Sequence, residues 1–441
     1  MLVFTPRITP RIAFAFNLVL KEWLSIDYKL TSCHYILEDS IESKLCYSPT
    51  QIADSFWVKP HGLLTEKNIH PVDLELFGSG NDLILFPSTD KKCFPFDIFS
   101  AVFYMISRYE EYLPFEPDLH GRFPSELTFV VKNGIERIPI VDVWVQQFYE
   151  ALRQQFPFLV NRKNNRGNAI HIDVDNAFAH KGKGLIRTGG KLALSLSRFQ
   201  LRNFAEIAGA SLGITHDPFD TYDTLYQQVK KENIHLKWYF HLGNLDKFDR
   251  PVKWSNRKFS CLIRHLSKTS YCGIHPSYGV LDDSSLLHRE VVRFEHITGH
   301  KPTFSRFHFL RFRFPSSFKM LIREGIEADY SLGFSDRVGY RAGTARPFSF
   351  FDLTTDTEEN FTIYPFVAMD SAFNYQLKMS PSSAIETLEQ LFDIQKKTGG
   401  DFSVVFHNEI ISEKEPWKGW SVLFKSLVSI MKEKVDDHPL R

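Results

Sequence analysis

The feature that most limits the fold of this chain is an alternation of short apolar segments and helix-like segments after residue 168. Seven segments have the composition of strands: 168–174, 236–242, 271–277, 303–309, 325–331, 361–366 and 402–408. Helical periodicity is found in 221–232, 284–297, 315–324, 383–397 and 418–434. This alternation predicts a parallel α/β sheet. Because the strands number seven, we expect a closed, distorted (β/α)7 barrel with its working residues at the carboxyl ends of the strands.

A chain of 441 residues is too long for one ordinary domain. The polar, basic segment NRKNNRGN at 161–168 marks the predicted boundary. Before it we expect a smaller, mixed α/β N-terminal domain over 1–160, with its strongest helices at 98–112 and 141–156. After it we expect the barrel domain, over 168–435.

Composition excludes several classes of protein. Lys and Arg number 53 against 52 for Asp and Glu, so binding of nucleic acid through bulk charge is not expected. The five cysteines are odd in number and lack CxxC spacing, which favours a reducing cytoplasm over a disulfide framework. The apolar run 12–20 has helical spacing and lacks a cleavage site, so we expect a core helix there. No stretch approaches the ~20 apolar residues of a transmembrane helix.

Polar side chains stand where the predicted strands end. They are Asp173, Asp175, His241, His275, Arg306, His308, Asp329, Asp370, His407, Asn408 and Glu409. Because parallel strands end on one side of a barrel, these groups are expected to converge. A barrel with a purely structural role has no need of such convergence.

The segment HIDVDNA at 171–177 places Asp173 and Asp175 two residues apart. On a strand both carboxylates share a face, and two close carboxylates repel unless a cation or a proton lies between them. This spacing favours a metal site in which one aspartate binds the ion and the other acts as a base. The alternative is a turn that ends the strand through Asx hydrogen bonds.

Three histidines follow other strands in the same way. His275 lies in GIHPSYG, Arg306 and His308 lie two residues apart in SRFHFLR, and His407 ends SVVFHNE. Each signal alone is weak. Together with the two aspartates they match a His/Asp metal centre with a spare imidazole for proton transfer.

These motifs, in this order, resemble those of the polysaccharide deacetylases, the NodB-homology enzymes of carbohydrate esterase family four. The resemblance covers roughly residues 168–412, by motif order alone. It implies a barrel of polysaccharide-deacetylase type. The whole chain also resembles a bacterial subgroup in which an uncharacterised N-terminal domain carries a segment like SRYEEYLPFEPD, found here at 107–118.

The resemblance implies a role for each matching residue. Asp173 corresponds to the catalytic base and Asp175 to the metal-binding aspartate. His275 corresponds to the first metal-binding histidine, Arg306 to the arginine that orients the base, and His407 to the general acid. Members of the family use a divalent ion, commonly zinc, to activate water against an acetyl carbonyl.

One position departs from the family. The second metal-binding histidine usually stands four residues after the first, where this chain has Gly279. His308 is our replacement candidate, because strand ends in a barrel lie within reach of one centre. His241 is the weaker alternative for this role.

Further residues are assigned to the substrate. Arg341 lies in the Gly- and Arg-rich loop RVGYRAGTARPF, and Asp370 follows a predicted strand. We add Tyr278 and His241, which stand at strand ends, to this set. The segment 181–202 carries six basic and no acidic residues. It is either a solvated basic helix pair or a surface for a lipid-linked or anionic glycan.

These inferences predict a cytoplasmic, metal-dependent hydrolase that removes acetyl groups from N-acetylated sugars of a polysaccharide or glycan precursor. One alternative is an inactive glycan-binding protein that lacks a complete metal triad, which Gly279 favours. The joint presence of Asp173, Asp175, Arg306 and His407 opposes it, because a binding protein needs no pair of base and acid. Another alternative is a hydrolase of small amides on the same barrel.

Overall fold

The structure is a computed structural model that describes residues 1–160, 167–230, 232 and 234–432. The boundary predicted at 161–168 therefore lies mostly outside the described residues. The same is true of the last residues of the predicted helix 418–434 and of the predicted barrel domain. The described residues form two β-sheets with helices around them.

The N-terminal part contains a four-stranded parallel sheet in the order β2-β1-β3-β4. Its strands are β1 (Leu2–Phe4), β2 (Lys29–Thr31), β3 (Lys44–Tyr47) and β4 (Phe56–Val58). The helices of this part are α1 (Pro10–Phe16), α2 (His34–Asp39), α3 (Ile98–Ile106), α4 (Phe129–Lys132) and α5 (Ile140–Gln155). Helix α1 begins where the Thr9 hydroxyl accepts a hydrogen bond from the Ile12 amide, and it continues as a π-helical segment, Asn17–Trp23.

Helix α3 is shorter than the helix predicted over 98–112. It ends at Ile106 because the chain turns at Arg108, whose φ of 54° is left-handed. The buried Arg108 guanidinium donates hydrogen bonds to Glu110 at 2.5 Å and to Glu111 at 3.0 Å. These ion pairs hold the turn, and a 3-10 segment over Tyr109–Tyr112 replaces the last predicted helical turn.

The second sheet has nine strands in the order β10-β11-β9-β8-β7-β6-β5-β13-β12. The strands are β5 (Ala169–Val174), β6 (His235–Phe240), β7 (Tyr271–Ile274), β8 (Phe304–Ser305), β9 (Ala328–Asp329), β10 (Phe348–Asp352), β11 (Thr357–Ile363), β12 (Ala368–Met369) and β13 (Ser403–His407). The helices are α6 (Leu185–Ser197), α7 (Leu201–Leu212), α8 (Tyr222–Val229), α9 (Arg257–Ser267), α10 (Ser285–Thr298), α11 (Ser316–Arg323), α12 (Pro381–Thr398) and α13 (Ser421–Lys432).

Every strand pair in this sheet is parallel except β10 with β11. The fold is therefore mixed α/β with mainly parallel sheets, as expected from the alternating pattern. Each of the seven predicted strands overlaps an observed one, although β11 begins four residues before the predicted 361–366, whereas β10, β12 and helix α9 were not predicted. Among the described residues no ladder joins the end strands β10 and β12, so closure into a (β/α)7 barrel stays a prediction.

The N-terminal part packs directly on the large sheet. The ring of Phe351 in β10 lies 4.9 Å from that of Phe14 in α1 and 5.1 Å from that of Phe103 in α3. One hydrophobic cluster runs from these helices to strands β7, β10 and β11, and a second lies around β5, β6 and β13. None of the helices in the described part of the chain is long and apolar enough to cross a bilayer.

Candidate functional site

Strand β5 brings two carboxylates to the carboxyl end of the large sheet. It is buried along its whole length, with Ile170, Ile172 and Val174 in the hydrophobic cluster behind the sheet. Asp173 faces the opposite side, because side chains alternate along a strand. Asp175 follows the last residue of β5, so both carboxylates stand at the edge where the parallel strands end.

Three residues on separate segments converge on one point at this edge. Asp175, His275 and His308 each offer a ligand atom, and these atoms lie within 4.8 Å of one another. Nε2 of His275 lies 3.0 Å from Oδ1 of Asp175, and Nε2 of His308 lies 3.3 Å from Oδ2. These are the three residues that the sequence assigns to the metal.

The donor set of this group fits a divalent ion. Two imidazole nitrogens and a carboxylate form a three-ligand set that leaves a position for water or substrate, as in catalytic zinc sites. Nδ1 of His275 contacts the Arg306 carbonyl oxygen, and Nδ1 of His308 contacts Asp249. Both Nδ1 atoms are thus assigned as donors, which leaves both Nε2 atoms as ligands. Oδ1 of Asp175 is buried without a hydrogen-bond partner among the described residues.

A buried carboxylate lies behind this group. Oδ1 of Asp249 is 2.7 Å from Nδ1 of His308 and 2.8 Å from Nε2 of His241, and it accepts a hydrogen bond from the Tyr278 amide at 3.1 Å. Burial acts to raise the pKa of Asp249, but the hydrogen bonds from His241 and His308 hold that pKa well below its usual value. His241, Asp249 and His308 also form a second cluster of possible ligand atoms.

The two histidines of this network have opposite pKa shifts. Burial lowers the pKa of His241 to about 4. Burial also acts to lower the pKa of His308, but the carboxylates of Asp175 and Asp249 outweigh it and raise that pKa to about 9. The local field around His308 is therefore strongly negative and favours a cation.

His407 stands on the other side of Asp173. Strand β13 pairs with β5 so that His407 lies directly opposite Asp173 in the ladder. Nδ1 of His407 donates to Oδ1 of Asp370 at 2.7 Å, and the His407 amide donates to Oδ2 at 2.7 Å. Nε2 of His407 lies 3.6 Å from Oδ2 of Asp175. Burial opposes protonation, but Asp370 outweighs it and raises the pKa of His407 well above its usual value.

Arg306 lies beneath Asp173, away from solvent. Its Nε is 3.2 Å from Oδ1 of Asp173, and its guanidinium lies between the rings of Tyr239 and Phe366, 4.8 and 4.9 Å from their centroids. None of its three side-chain nitrogens has a hydrogen-bond partner in the described part of the chain. Burial raises the pKa of Asp173, and the charge of Arg306 limits the rise.

The residues assigned to the substrate are scattered. Asp370 is fully buried on His407, and His241 is fully buried on Asp249. Arg341 donates to Glu111 of the N-terminal part at 2.9 Å, so the structure places it in an ion pair between the two parts of the chain. Tyr278 stacks on the Phe248 ring at 4.1 Å.

Two groups near the site carried no usable signal in the sequence. Asp249 lies between β6 and α9, in a segment without strand or helix periodicity. His120 lies in the N-terminal loop 114–126, and its Nδ1 is 3.0 Å from the Tyr278 hydroxyl. Its carbonyl oxygen accepts a hydrogen bond from Arg311 at 2.7 Å. A loop of the N-terminal part therefore contacts Tyr278, whose backbone amide is hydrogen-bonded to Asp249.

The first basic residues of 181–202 have partners inside the protein. Lys181 pairs with Asp220 at 2.9 Å, and Lys183 donates to the side-chain oxygen of Asn176. Burial lowers the pKa of Lys183 to about 7. Gly279, the position at which the sequence resemblance implies a histidine, lies in a 3-10 turn, and a Cβ there would meet Leu286 at 2.8 Å.

Comparisons with known proteins give limited matches. Residues 1–157 match the model of a family of unknown function, DUF7033. No curated protein matches. A structure from Mycobacterium smegmatis, provisionally described as a polysaccharide deacetylase, is 14% identical with a TM-score of 0.39, and the match covers 63% of this chain and 88% of that one.

Two further structures are similar over comparable parts of this chain. A polysaccharide deacetylase from Bacillus cereus is 9% identical with a TM-score of 0.30, over 62% of this chain and 89% of the other. A 4-alpha-glucanotransferase from Thermococcus litoralis is 13% identical with a TM-score of 0.34, over 60% of this chain and 38% of the other. At these TM-scores the matches establish neither a family nor an activity for this chain.

Proposed function

We propose that this protein is a metal-dependent hydrolase that removes acetyl groups from N-acetylated sugars of a polysaccharide or glycan precursor. The observation that carries the proposal is the convergence of Asp175, His275 and His308 within 4.8 Å, beside a second carboxylate, Asp173, and a second imidazole, His407. This is the set of groups that hydrolysis of an amide needs: ligands, a base and an acid.

The reaction adds water to the acetamide and releases acetate and the free amine. Asp175, His275 and His308 would hold a divalent ion, which would supply Lewis acidity toward the carbonyl oxygen and toward water. We assign zinc to this position, because two imidazoles and one carboxylate are ligands that zinc accepts.

We assign the proton transfers to Asp173 and His407. Asp173 accepts the proton of the attacking water, and the charge of Arg306 3.2 Å away favours the ionised carboxylate that this needs. His407 donates a proton from Nε2 to the leaving nitrogen, because Asp370 fixes Nδ1 as the other donor and stabilises the imidazolium.

The substrate residues and the domain roles are also part of the proposal. Tyr278 and the Phe248 ring stacked on it form the aromatic surface that we assign to the sugar. Contacts of His241, Asp370 and Arg341 with substrate stay predictions, as does a contact of 181–202 with a lipid-linked or anionic glycan. We assign catalysis to the barrel domain, over 168–435. We also propose that the protein is located in the cytoplasm, where its five free thiols are stable.

The test is acetate release from N-acetylglucosamine oligomers by zinc-loaded protein. We expect turnover that is lost in Asp173→Asn and kept in Asp223→Asn, which changes an exposed aspartate on α8. Hydrolysis of small acetamides with no turnover of oligomers would favour the small-amide alternative. Tight oligomer binding with no acetate release by the metal-loaded protein would favour the glycan-binding alternative.

A further inference from the structure

Helices α6 and α7 form a hairpin that is only loosely covered by the rest of the protein. We call residues 185–214 the basic hairpin. Helix α6 packs mainly on α7, and the single residue of α6 that is buried is Ser195. Helix α7 buries only Ile207 and Ala210. Helix α6 therefore presents most of its side chains to solvent, and α7 leaves all but two of its residues at least partly exposed.

The exposed side chains of the basic hairpin include many large apolar ones. Six of them are between 69% and 92% exposed: Leu185, Ile186, Phe199, Leu201, Leu212 and Ile214. Along α7 the apolar residues Leu201, Ala205, Ala208 and Leu212 are spaced by four, three and four, so they share one helical face. Scattered exposed leucines are ordinary, but a cluster of this size marks an interaction surface.

Of the four cations of the basic hairpin, Arg198 and Arg202 are exposed, whereas Arg187 and Lys191 donate hydrogen bonds to the carbonyl oxygens of Pro251 and Ala179. The basic hairpin carries Arg187, Lys191, Arg198 and Arg202 and one carboxylate, Glu206. Glu206 is paired with Lys414 at 2.5 Å, so its charge is already compensated. An apolar face bordered by lysine and arginine is complementary to the surface of an anionic bilayer, where phosphates lie above the acyl chains.

We propose that the basic hairpin docks on an anionic phospholipid bilayer, with its apolar side chains in the headgroup region and its cations on the phosphates. A second copy of the chain is a poorer occupant, because pairing two basic hairpins would bring their cations together. Attraction between the exposed Arg198 and Arg202 and the anionic surface makes the binding dependent on salt.

The segment that leads into the basic hairpin is hydrogen-bonded to a residue next to the candidate metal group. Lys183, just before α6, donates to the side chain of Asn176, which directly follows Asp175. The Asn176 carbonyl accepts a hydrogen bond from Asn408, next to His407, at 3.4 Å. A docked hairpin would therefore hold this end of the sheet close to the lipid, within reach of a membrane-bound glycan. That consequence rests on the proposed function, whereas the docking itself does not.

The test is co-sedimentation of the full chain with vesicles, which needs neither substrate nor metal. We expect binding to phosphatidylcholine vesicles that contain roughly a third phosphatidylglycerol, weak binding to pure phosphatidylcholine, and loss of binding as salt rises. Phe199→Ser should lower the vesicle partition about tenfold. The double change of Arg198→Gln and Arg202→Gln should lower it about fivefold for each charge removed.

Matched controls change equally exposed residues elsewhere. Phe158→Ser alters a phenylalanine that is 95% exposed, against 90% for Phe199, and should leave binding unchanged. Equal binding to neutral and anionic vesicles, or equal loss in both phenylalanine variants, would overturn the proposal. So would a stable dimer that Phe199→Ser dissociates in a protein that does not bind vesicles. Acetate release from soluble oligomers, measured in parallel, reports on the proposed function separately.

Discussion

Asp249 places a carboxylate oxygen 2.7 Å from Nδ1 of His308, behind the point where Nε2 of the same ring lies 3.3 Å from Asp175. The imidazole is therefore held at both nitrogens by carboxylates. A carboxylate behind a metal-binding histidine fixes the ring and increases its basicity. In the proposed metal site, Asp249 is thus a positioning residue for His308.

Asp249→Ala should weaken metal binding by about 10- to 100-fold, because the His308 ring loses its hydrogen-bond acceptor. The measurement is a competition titration of zinc against a coloured chelator. Asp246→Ala, three residues away in the same segment and exposed, serves as the control and should keep the affinity of the wild type. Equal affinity in both variants would show that Asp249 has no part in the metal site.

Asp370→Asn should lower kcat for N-acetylated sugars by about 100-fold and leave the metal content unchanged. The reason is that Asp370 carries the charge that stabilises protonated His407, the proposed acid. An aryl acetate ester needs little protonation of its leaving group, so its hydrolysis should fall much less. A loss of the same size on both substrates would contradict the role of His407 as acid.

Arg341→Met should lower the free energy of unfolding by about 3–5 kcal/mol, because it leaves the buried Glu111 carboxylate without this partner. Metal content should not change, and KM measured in parallel reports whether Arg341 also contacts the substrate. Arg337→Met, which alters a partly exposed pair with the neighbouring Asp336, should cost far less stability. A raised KM with unchanged stability would instead support the substrate contact expected from the sequence.

Asp142 provides a prediction on pH and stability. Its carboxylate accepts hydrogen bonds from Thr344 and Ala345, and burial raises its pKa to about 6 from 3.8. Between pH 4 and pH 6 the folded chain then binds more protons than the unfolded chain. Asp142 therefore lowers the free energy of unfolding as pH rises from about 4 to 6. Relative to the wild type, Asp142→Asn should gain up to about 3 kcal/mol across this window.

Chemical denaturation of both proteins at several pH values measures this difference. The variant also accepts hydrogen bonds from Thr344 and Ala345 less well, which shifts its free energy of unfolding by the same amount at every pH. The informative quantity is therefore how the difference between the two proteins changes with pH. A constant difference between pH 4 and pH 6, or one of opposite sign, would show that Asp142 is ionised at the lower pH.

The strand pattern predicted much of the large sheet because its strands are short, apolar and bounded by polar residues. Strand β12 was missed because it begins two residues after the predicted strand 361–366 ends, and β10 because its hairpin with β11 follows a glycine-rich loop. Helix α3 ended early because two carboxylates hold Arg108 in a left-handed turn, which helical periodicity does not reveal.

The convergence of Asp175, His275 and His308 was predictable because each residue follows its own strand, and parallel strands end together. Asp249 was not predictable, since no strand precedes it directly and its partner His308 lies 59 residues away. The ion pair of Arg341 with Glu111 was not predictable either. Glu111 lies 230 residues earlier, in the N-terminal part, and only the packing of the two parts brings them together.

The central claim is that Asp175, His275 and His308 hold a divalent ion, and elemental analysis of the purified protein tests it most directly. We predict close to one zinc ion per chain in the wild type and its loss in both His275→Ala and His308→Ala. His288→Ala, which changes an exposed histidine on α10, should keep the metal. An ion content in His308→Ala equal to that of the wild type, or no ion in the wild type after incubation with zinc, would contradict the claim.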